Sequence, residues 1–159
     1  MSESLRSSIQ WQLLRFDALS GQQMYEAMQL RSEVFVVEQN CVFPDMDGKD
    51  AQCMHLLGTQ VIDGAPVLVA YARCLPKGLA FAEVSIGRVV TRPSARGMGL
   101  GHPLIQQAIA ACHDTWGPQP IRIGAQSRLK DFYQQHGFVD MHLPYMEDGI
   151  AHLEMLRQP

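Results

Sequence analysis

The chain has 159 residues, enough for one domain with a hydrophobic core and too few for two comfortable ones. Apolar residues make up 47% and charged residues 18%, and no apolar run reaches the ~18–20 residues that span a bilayer. The net charge of −3, from 13 basic and 16 acidic side chains, argues against a broad nucleic-acid surface, which needs clustered cations, but leaves room for a local cationic site toward a phosphorylated small molecule.

Met1–Gln10 lacks the basic start and apolar stretch of a secretory signal, so a cytoplasmic protein is expected. Cys41, Cys53, Cys74 and Cys112 form no C-x-x-C pair and read as reduced, mostly buried thiols. The segment 9–16 alternates, with Ile9, Trp11 and Leu13 on one side, and reads as a strand. Ser20 and Gln23 form a capping box for a helix over about 21–35. Residues 36–52, with Pro44, Gly48 and several Asp, read as an irregular loop with room for one helical turn. Two apolar runs, 54–61 and 66–74, joined by Asp63-Gly64, predict a hairpin.

A further strand is expected over 81–91. Val84 and Ile86 share a phase that, continued, would put Arg88 in the core. One extra residue near Gly87 would return Val89 to the apolar side, although Gly87 also reads as a simple packing glycine. A Gly-rich turn follows, then a helix over about 103–113 with Pro103 first and Leu104, Ile105, Ala108, Ile109 and Cys112 on one face. Ile121, Ile123 and Ala125 alternate on the next strand. Ser127 caps a helix carrying Leu129, Phe132, Tyr133 and His136, which Gly137 ends. Strands over 138–143 and 150–156 flank Asp148-Gly149. The order β-α-β-β-β-α-β-α-β-β predicts an α/β fold, a mixed sheet with helices packed on its faces. One domain is expected over 9–157, after an N-terminal extension, 1–8.

The strongest functional signal is Arg96-Gly97-Met98-Gly99-Leu100-Gly101, between a strand and a helix. A helix start presents unpaired N–H groups and the positive end of the dipole, glycines let a phosphate approach them, and Arg96 can add a charge-assisted contact. The loop is not a Walker loop, because His102 and Pro103 follow where Lys and Ser or Thr would stand. Nor is it a dinucleotide fingerprint, because its spacing is R-x-x-G-x-G and it falls mid-chain. Metal sites are not expected. Asp45-x-Asp47-Gly48 has its Gly at position 4 of a calcium loop rather than 6, with Leu56 at position 12.

R-x-x-G-x-G after a strand resembles the pyrophosphate loop of the GNAT N-acetyltransferase family, and Phe132-Tyr133-x-x-x-Gly137-Phe138 is similar to a second segment of that family. The runs Leu30-Arg31-x-x-Val34-Phe35-Val36-Val37-Glu38-Gln39, Ile86-Gly87-Arg88-Val89 and Glu147-Asp148-Gly149-Ile150 resemble its ElaA-like subgroup. The resemblance implies a cleft where two central parallel strands, 81–91 and 121–125, splay apart. It further implies acetyl-CoA as co-substrate, no metal, and transfer of an acetyl group to a primary amine of a small molecule or peptide. It assigns the pantetheine arm to backbone groups of Val89 and Val90. Tyr133 becomes the acid that protonates the leaving thiolate, against a reading as a core aromatic. Glu83, thirteen positions before Arg96, becomes the candidate base, against a reading as a solvated strand-end residue. Arg31, Glu38 and His55, with the acids of the 36–52 loop, lie where the family builds its acceptor side; a merely solvated loop is the alternative. His152 and Tyr145 are read as bordering the acceptor pocket, and His55, His142 and His152 show no metal-ligand spacing. An acyl-homoserine-lactone-synthase-like acyltransferase and a non-catalytic acyl-CoA sensor remain competing readings. No nucleic-acid or membrane partner is expected, and the oligomeric state stays open, a homodimer included.

Overall fold

The structure, a computed structural model, describes residues 8–159, so the expected N-terminal extension lies outside the described residues apart from Ser8. Strand β1 (Gln10–Arg15) leads to helix α1 (Gly21–Arg31). Its start follows the sequence: the Gln23 N–H donates to Ser20 Oγ at 3.0 Å, and the Ser20 N–H donates to Gln23 Oε1 at 2.9 Å. The helix does not stop at Phe35. It widens into a π-helical turn, Ser32–Glu38, closed by bonds such as Cys41 N–H to Val36 O at 3.0 Å. The run of β-branched Val34, Val36 and Val37 fits a tight α-turn poorly. The loop beyond holds one 3₁₀ turn, Asp50–Gln52.

Strands β2 (Met54–Ile62) and β3 (Ala65–Leu75) form the expected hairpin, with Asp63 at φ 52° and Gly64 at φ 81° as a two-residue turn needs. Strand β4 (Ser85–Thr91) completes an antiparallel sheet in the order β1-β2-β3-β4. Helix α2 (Gly101–Trp116) begins two residues earlier than expected, which makes Pro103 its third residue rather than its first. Strand β5 (Ile121–Gln126), a 3₁₀ turn (Ser127–Leu129) and short helix α3 (Lys130–Gln134) follow, and Gly137 at φ 89° ends the helical stretch. Strands β6 (Phe138–Glu147) and β7 (Ile150–Arg157) join β5 in a second antiparallel sheet, order β5-β7-β6. Strand β6 runs on past Leu143 because the register shifts between Asp140 and Pro144, and an edge strand tolerates Pro at such a shift.

The expected single mixed sheet is therefore two antiparallel sheets. One parallel bridge, Val84 to Ile121, links them, with the Arg122 N–H donating to Val84 O at 2.9 Å. Helix α2 packs Leu104, Ile105, Ala108, Ile109 and Cys112 into a core that takes Val84 and Ile86 from the first sheet and Ile121, Ile123, Leu153 and Met155 from the second. Burying that common face holds the halves together where backbone pairing fails. On the other face of the first sheet, Ala27, Leu30 and Val34 pack on Leu57, Leu68, Tyr71 and Val90. All four cysteines are free and buried, and burial pushes the Cys53 thiol up to about 11. No helix among the described residues is long and apolar enough to cross a membrane.

Candidate active site

Past the Val84–Ile121 bridge, β4 stays with β3 and β5 stays with β7, so the two strands run apart. The gap is a cleft of about 1010 Å³. Ile86 to Thr91 of β4 form one wall, and Ile123 to Gln126 of β5 with Tyr133 of α3 form the other. The π turn contributes Phe35 and Glu38, and the β6–β7 hairpin contributes Tyr145, Glu147 and His152.

The β4 wall is bulged. Tyr71 pairs with Val90 and Arg73 with Gly87, so two steps along β3 face three along β4. As a result Val84, Ile86 and Val89 pack toward one core cluster while Val90 enters the other. The extra residue expected near Gly87 falls one position on. Arg88 takes the left-handed conformation, φ 52°, whereas a Cβ at Gly87 would find ordinary room 3.6 Å from Leu75. Such a backbone costs a bulky residue roughly 1–3 kcal/mol unless its surroundings hold it. Here the Arg88 guanidinium donates to Asp45 Oδ1 at 2.8 Å and to the Asp45 carbonyl at 2.9 Å, and sits over the Phe43 ring.

At the cleft's other end, α2 starts with no side-chain cap on Leu100. Its first N–H groups are thus left for an outside acceptor. Gly97 at φ 89° and Gly99 at φ 71° hold turns that side chains resist, and a Cβ at Gly97 would meet nothing within 4 Å. Bare donors, open space and a positive dipole end fit a pyrophosphate. Arg96 lines the cleft and rests on Glu38, 2.7 Å away, so a loop residue and an expected acceptor-side residue meet.

Tyr133 is 7% exposed and still lines the cleft. Phe132 and Phe138 meet its ring edge-on at 5.1 and 5.8 Å. Burial pushes its phenol up to about 12, so the group keeps its proton at neutral pH.

Other expected site residues lie elsewhere. Glu83 is not among the cleft-lining residues; its carboxylate takes the Arg122 guanidinium at 3.0 Å, which also donates to Glu154 at 3.2 Å. Arg31 and His55 are wholly buried behind the cleft. Arg31 donates to Asp45 at 2.9 Å and to Asp50 at 2.6 Å. The His55 Nε2 meets the Asp50 carbonyl at 2.9 Å and Nδ1 meets the Tyr71 hydroxyl at 2.7 Å. Burial lowers the His55 pKa, so a neutral ring donates to the carbonyl and accepts from the phenol. The acids of the loop are not a merely solvated set: Asp45 and Asp50 are buried, and Asp47, which also lines the cleft, is held by Arg73. Asp45, Asp47 and Asp50 face inward onto Arg31, Arg73 and Arg88, which come from α1, β3 and β4.

Of the hairpin wall, the sequence offers His152 and Tyr145 as residues bordering the acceptor pocket, but gives His152 no role and does not single out Glu147 as a site residue. His152 shows no metal-ligand spacing, and its neighbours Tyr145 and Glu147 belong to another strand. The signal available was the alternation of β7, which turns Leu153 and Met155 to the core and His152 and Glu154 to the other face.

The split between β4 and β5, the glycine-rich helix start that follows Arg96 and the buried tyrosine in the cleft wall together fit a transferase of the acetyltransferase class. Residues 62–158 match the family model for the acetyltransferase (GNAT) domain, and the chain belongs to that family. Within it the chain is ElaA-like. It is 41% identical to protein ElaA of Escherichia coli K12 over 152 residues, 94% of this chain and 97% of that one. The crystal structure of Escherichia coli ElaA superposes with a TM-score of 0.84, covering 94% of this chain and 99% of that chain. An acyl-CoA N-acyltransferase from Pseudomonas aeruginosa is 39% identical with a TM-score of 0.86, covering 94% and 99%. The acyl-homoserine-lactone synthase LasI shares the fold alone, at 14% identity, a TM-score of 0.71, and coverage of 93% and 88%.

Proposed function

We propose that this chain is a cytoplasmic N-acetyltransferase that moves the acetyl group of acetyl-CoA to a primary amine on a small molecule or peptide. The observation that carries the reading is the cleft itself: strand separation exposes the bulged edge of β4 opposite a tyrosine that keeps its proton. The thioester brings a polarised carbonyl and a good leaving group. The protein supplies position and protons. The N–H groups at the α2 start, with Gly97, Met98, Gly99, Leu100 and Gly101, hold the pyrophosphate, and Arg96 adds charge. Backbone groups of Val89 and Val90, on the bulged strand, align the pantetheine arm. A donor there also stabilises the oxyanion that forms when the amine attacks. Tyr133 then donates its proton to the departing thiolate. Glu38 borders the acceptor's way in. Glu83 has a positioning role in this reading, holding Arg122 and through it Glu154.

The test is a panel of amines and peptides with acetyl-CoA, followed by release of free thiol. Acetyl transfer to at least one amine is the expected result. Preference for longer acyl donors would favour the synthase-like reading, and CoA binding without turnover would favour a sensor.

A further inference from the structure

Attack on a thioester needs a neutral amine, and an alkylamine with a pKa near ~10 requires help at neutral pH. Of the carboxylates that line the cleft, Glu38 is committed to Arg96 and Asp47 to Arg73, while Glu83 lies outside the lining and is held by Arg122. The hairpin wall holds a base that is not so committed.

His152 sits on the middle strand of the second sheet, paired with Gln126 of β5 and Tyr145 of β6. Its Nδ1 stands 2.7 Å from the Ile150 carbonyl. A carbonyl only accepts, so Nδ1 carries the hydrogen, and the lone pair of the neutral ring is on Nε2. Nε2 is 3.8 Å from Glu147 Oε2, beyond a hydrogen bond while the ring is neutral and close enough to steady an imidazolium. The ring is stacked on Tyr145, with centroids 5.3 Å apart and 24° between planes. Tyr145 is seated by Gly124, where any Cβ would collide with its hydroxyl. A carbonyl thus sets the tautomer, an aromatic ring sets the plane, and a carboxylate stands by for the charge. His152, Tyr145, Glu147 and Gly124 all line the same cleft as Tyr133.

We propose that His152 is the general base of the transfer, with Glu147 and Tyr145 as its positioning residues; this rests on the acetyl-transfer reading. As the N–C bond forms, Nε2 takes the proton that the acceptor nitrogen loses. The C–S bond breaks and the thiolate takes the Tyr133 proton. Solvent then restores Tyr133 and discharges His152, leaving an amide and a thiol. The titratable groups recorded against the ring are Tyr145 and Glu147 from β6, and Asp148, Arg128, Arg88, Asp47 and Arg73 share the cleft lining with it. Across the cleft, Glu38 is held by Arg96.

The experiment uses the full chain, the amine found by the panel, and the variants His152→Ala, His152→Gln and Glu147→Gln. His152→Ala is expected to lower kcat by about 10²-fold or more, to lose the acid limb of the kcat/KM profile, and to recover with added imidazole while CoA affinity holds. Glu147→Gln should lower kcat while CoA affinity holds, because the imidazolium formed in the transition state loses its counter-charge. Nitrogen-15 spectra of the wild-type imidazole should show the Nδ1–H tautomer, a readout that needs no turnover. Wild-type transfer together with His152 variants within about threefold of it would overturn the base alone. An Nε2–H tautomer would overturn it regardless of activity. A wild-type protein that binds CoA and acetylates nothing would overturn the acetyl-transfer reading and the base with it.

Discussion

At Tyr133 the local geometry separates packing from chemistry. The ring is wedged between Phe132 and Phe138, while no hydrogen bond reaches its hydroxyl among the described residues. Tyr133→Phe therefore removes a proton and strands no buried partner, so thermal unfolding should barely move. Single-turnover acetyl transfer should slow by about 10²-fold with CoA affinity unchanged, because the lost interaction belongs to the transition state. A full-speed Tyr133→Phe protein would remove this residue from the proton path. The tyrosine was legible because its motif is contiguous, F-Y-x-x-x-G-F. The base role of His152 was not: the Ile150 carbonyl that sets its tautomer is two residues away on the same strand, but the ring's plane and counter-charge come from Tyr145 and Glu147 across a strand pairing that no spacing along the chain encodes.

Among the elements, the glycine-rich turn and α2 act as one unit. The helix has no side-chain cap, and Gly99 holds φ 71°. Gly99→Ala and Gly99→Glu share the same backbone strain, and only the second brings bulk and a carboxylate to the phosphate position. Calorimetric titration should find CoA binding to the Glu variant weaker than to the Ala variant by about tenfold or more, ~1.4 kcal/mol. Equal affinity in two folded variants would sink the loop assignment. Gly101 is a less clean probe, since a Cβ there would stand 3.4 Å from the Phe132 ring. The bulge in β4 was readable from a broken alternation, but its placement at Arg88 was not. That depends on Asp45, forty-three positions earlier, which holds the guanidinium of the strained residue.

For the whole molecule, the buried ion network decides how the loop between the π turn and β2 docks. The Arg73 hydrogen bond holds the Asp47 carboxyl well below the usual carboxylate range. Burial pushes Asp50 up, but the Arg31 hydrogen bond and the nearby charges outweigh it, so its pKa is also lowered. Folded-state pKa values below the unfolded ones give stability that is present above the unfolded pKa and lost as pH falls through the folded values. The melting temperature should accordingly hold from about pH 7 to 5 and drop steadily below about pH 4. Asp50→Asn leaves Arg31 and Arg73 short of a partner. It should cost about 3 kcal/mol or more at neutral pH and flatten the acid decline, as melting curves across pH would register. A variant as stable as the parent would show that the network contributes no net stability.

Within this protein, the sequence alone determined what is local or periodic. The Ser20–Gln23 cap, the Asp63-Gly64 and Asp148-Gly149 turns, the apolar face of α2 and the Gly97–Gly101 helix start each depend on residues a few positions apart, whose conformational preferences act before the chain is folded. Tertiary structure decided what needs residues from several elements at once. A mixed sheet became two antiparallel sheets because, among the described residues, the Val84 to Ile121 bridge alone joins the diverging strands. An acidic loop turned inward because three arginines on α1, β3 and β4 meet beneath it. Alternation placed His152 on a face; the pairing of β5, β7 and β6 placed that face on the cleft, where the Ile150 carbonyl and Glu147 decide which nitrogen holds the lone pair and what balances its charge.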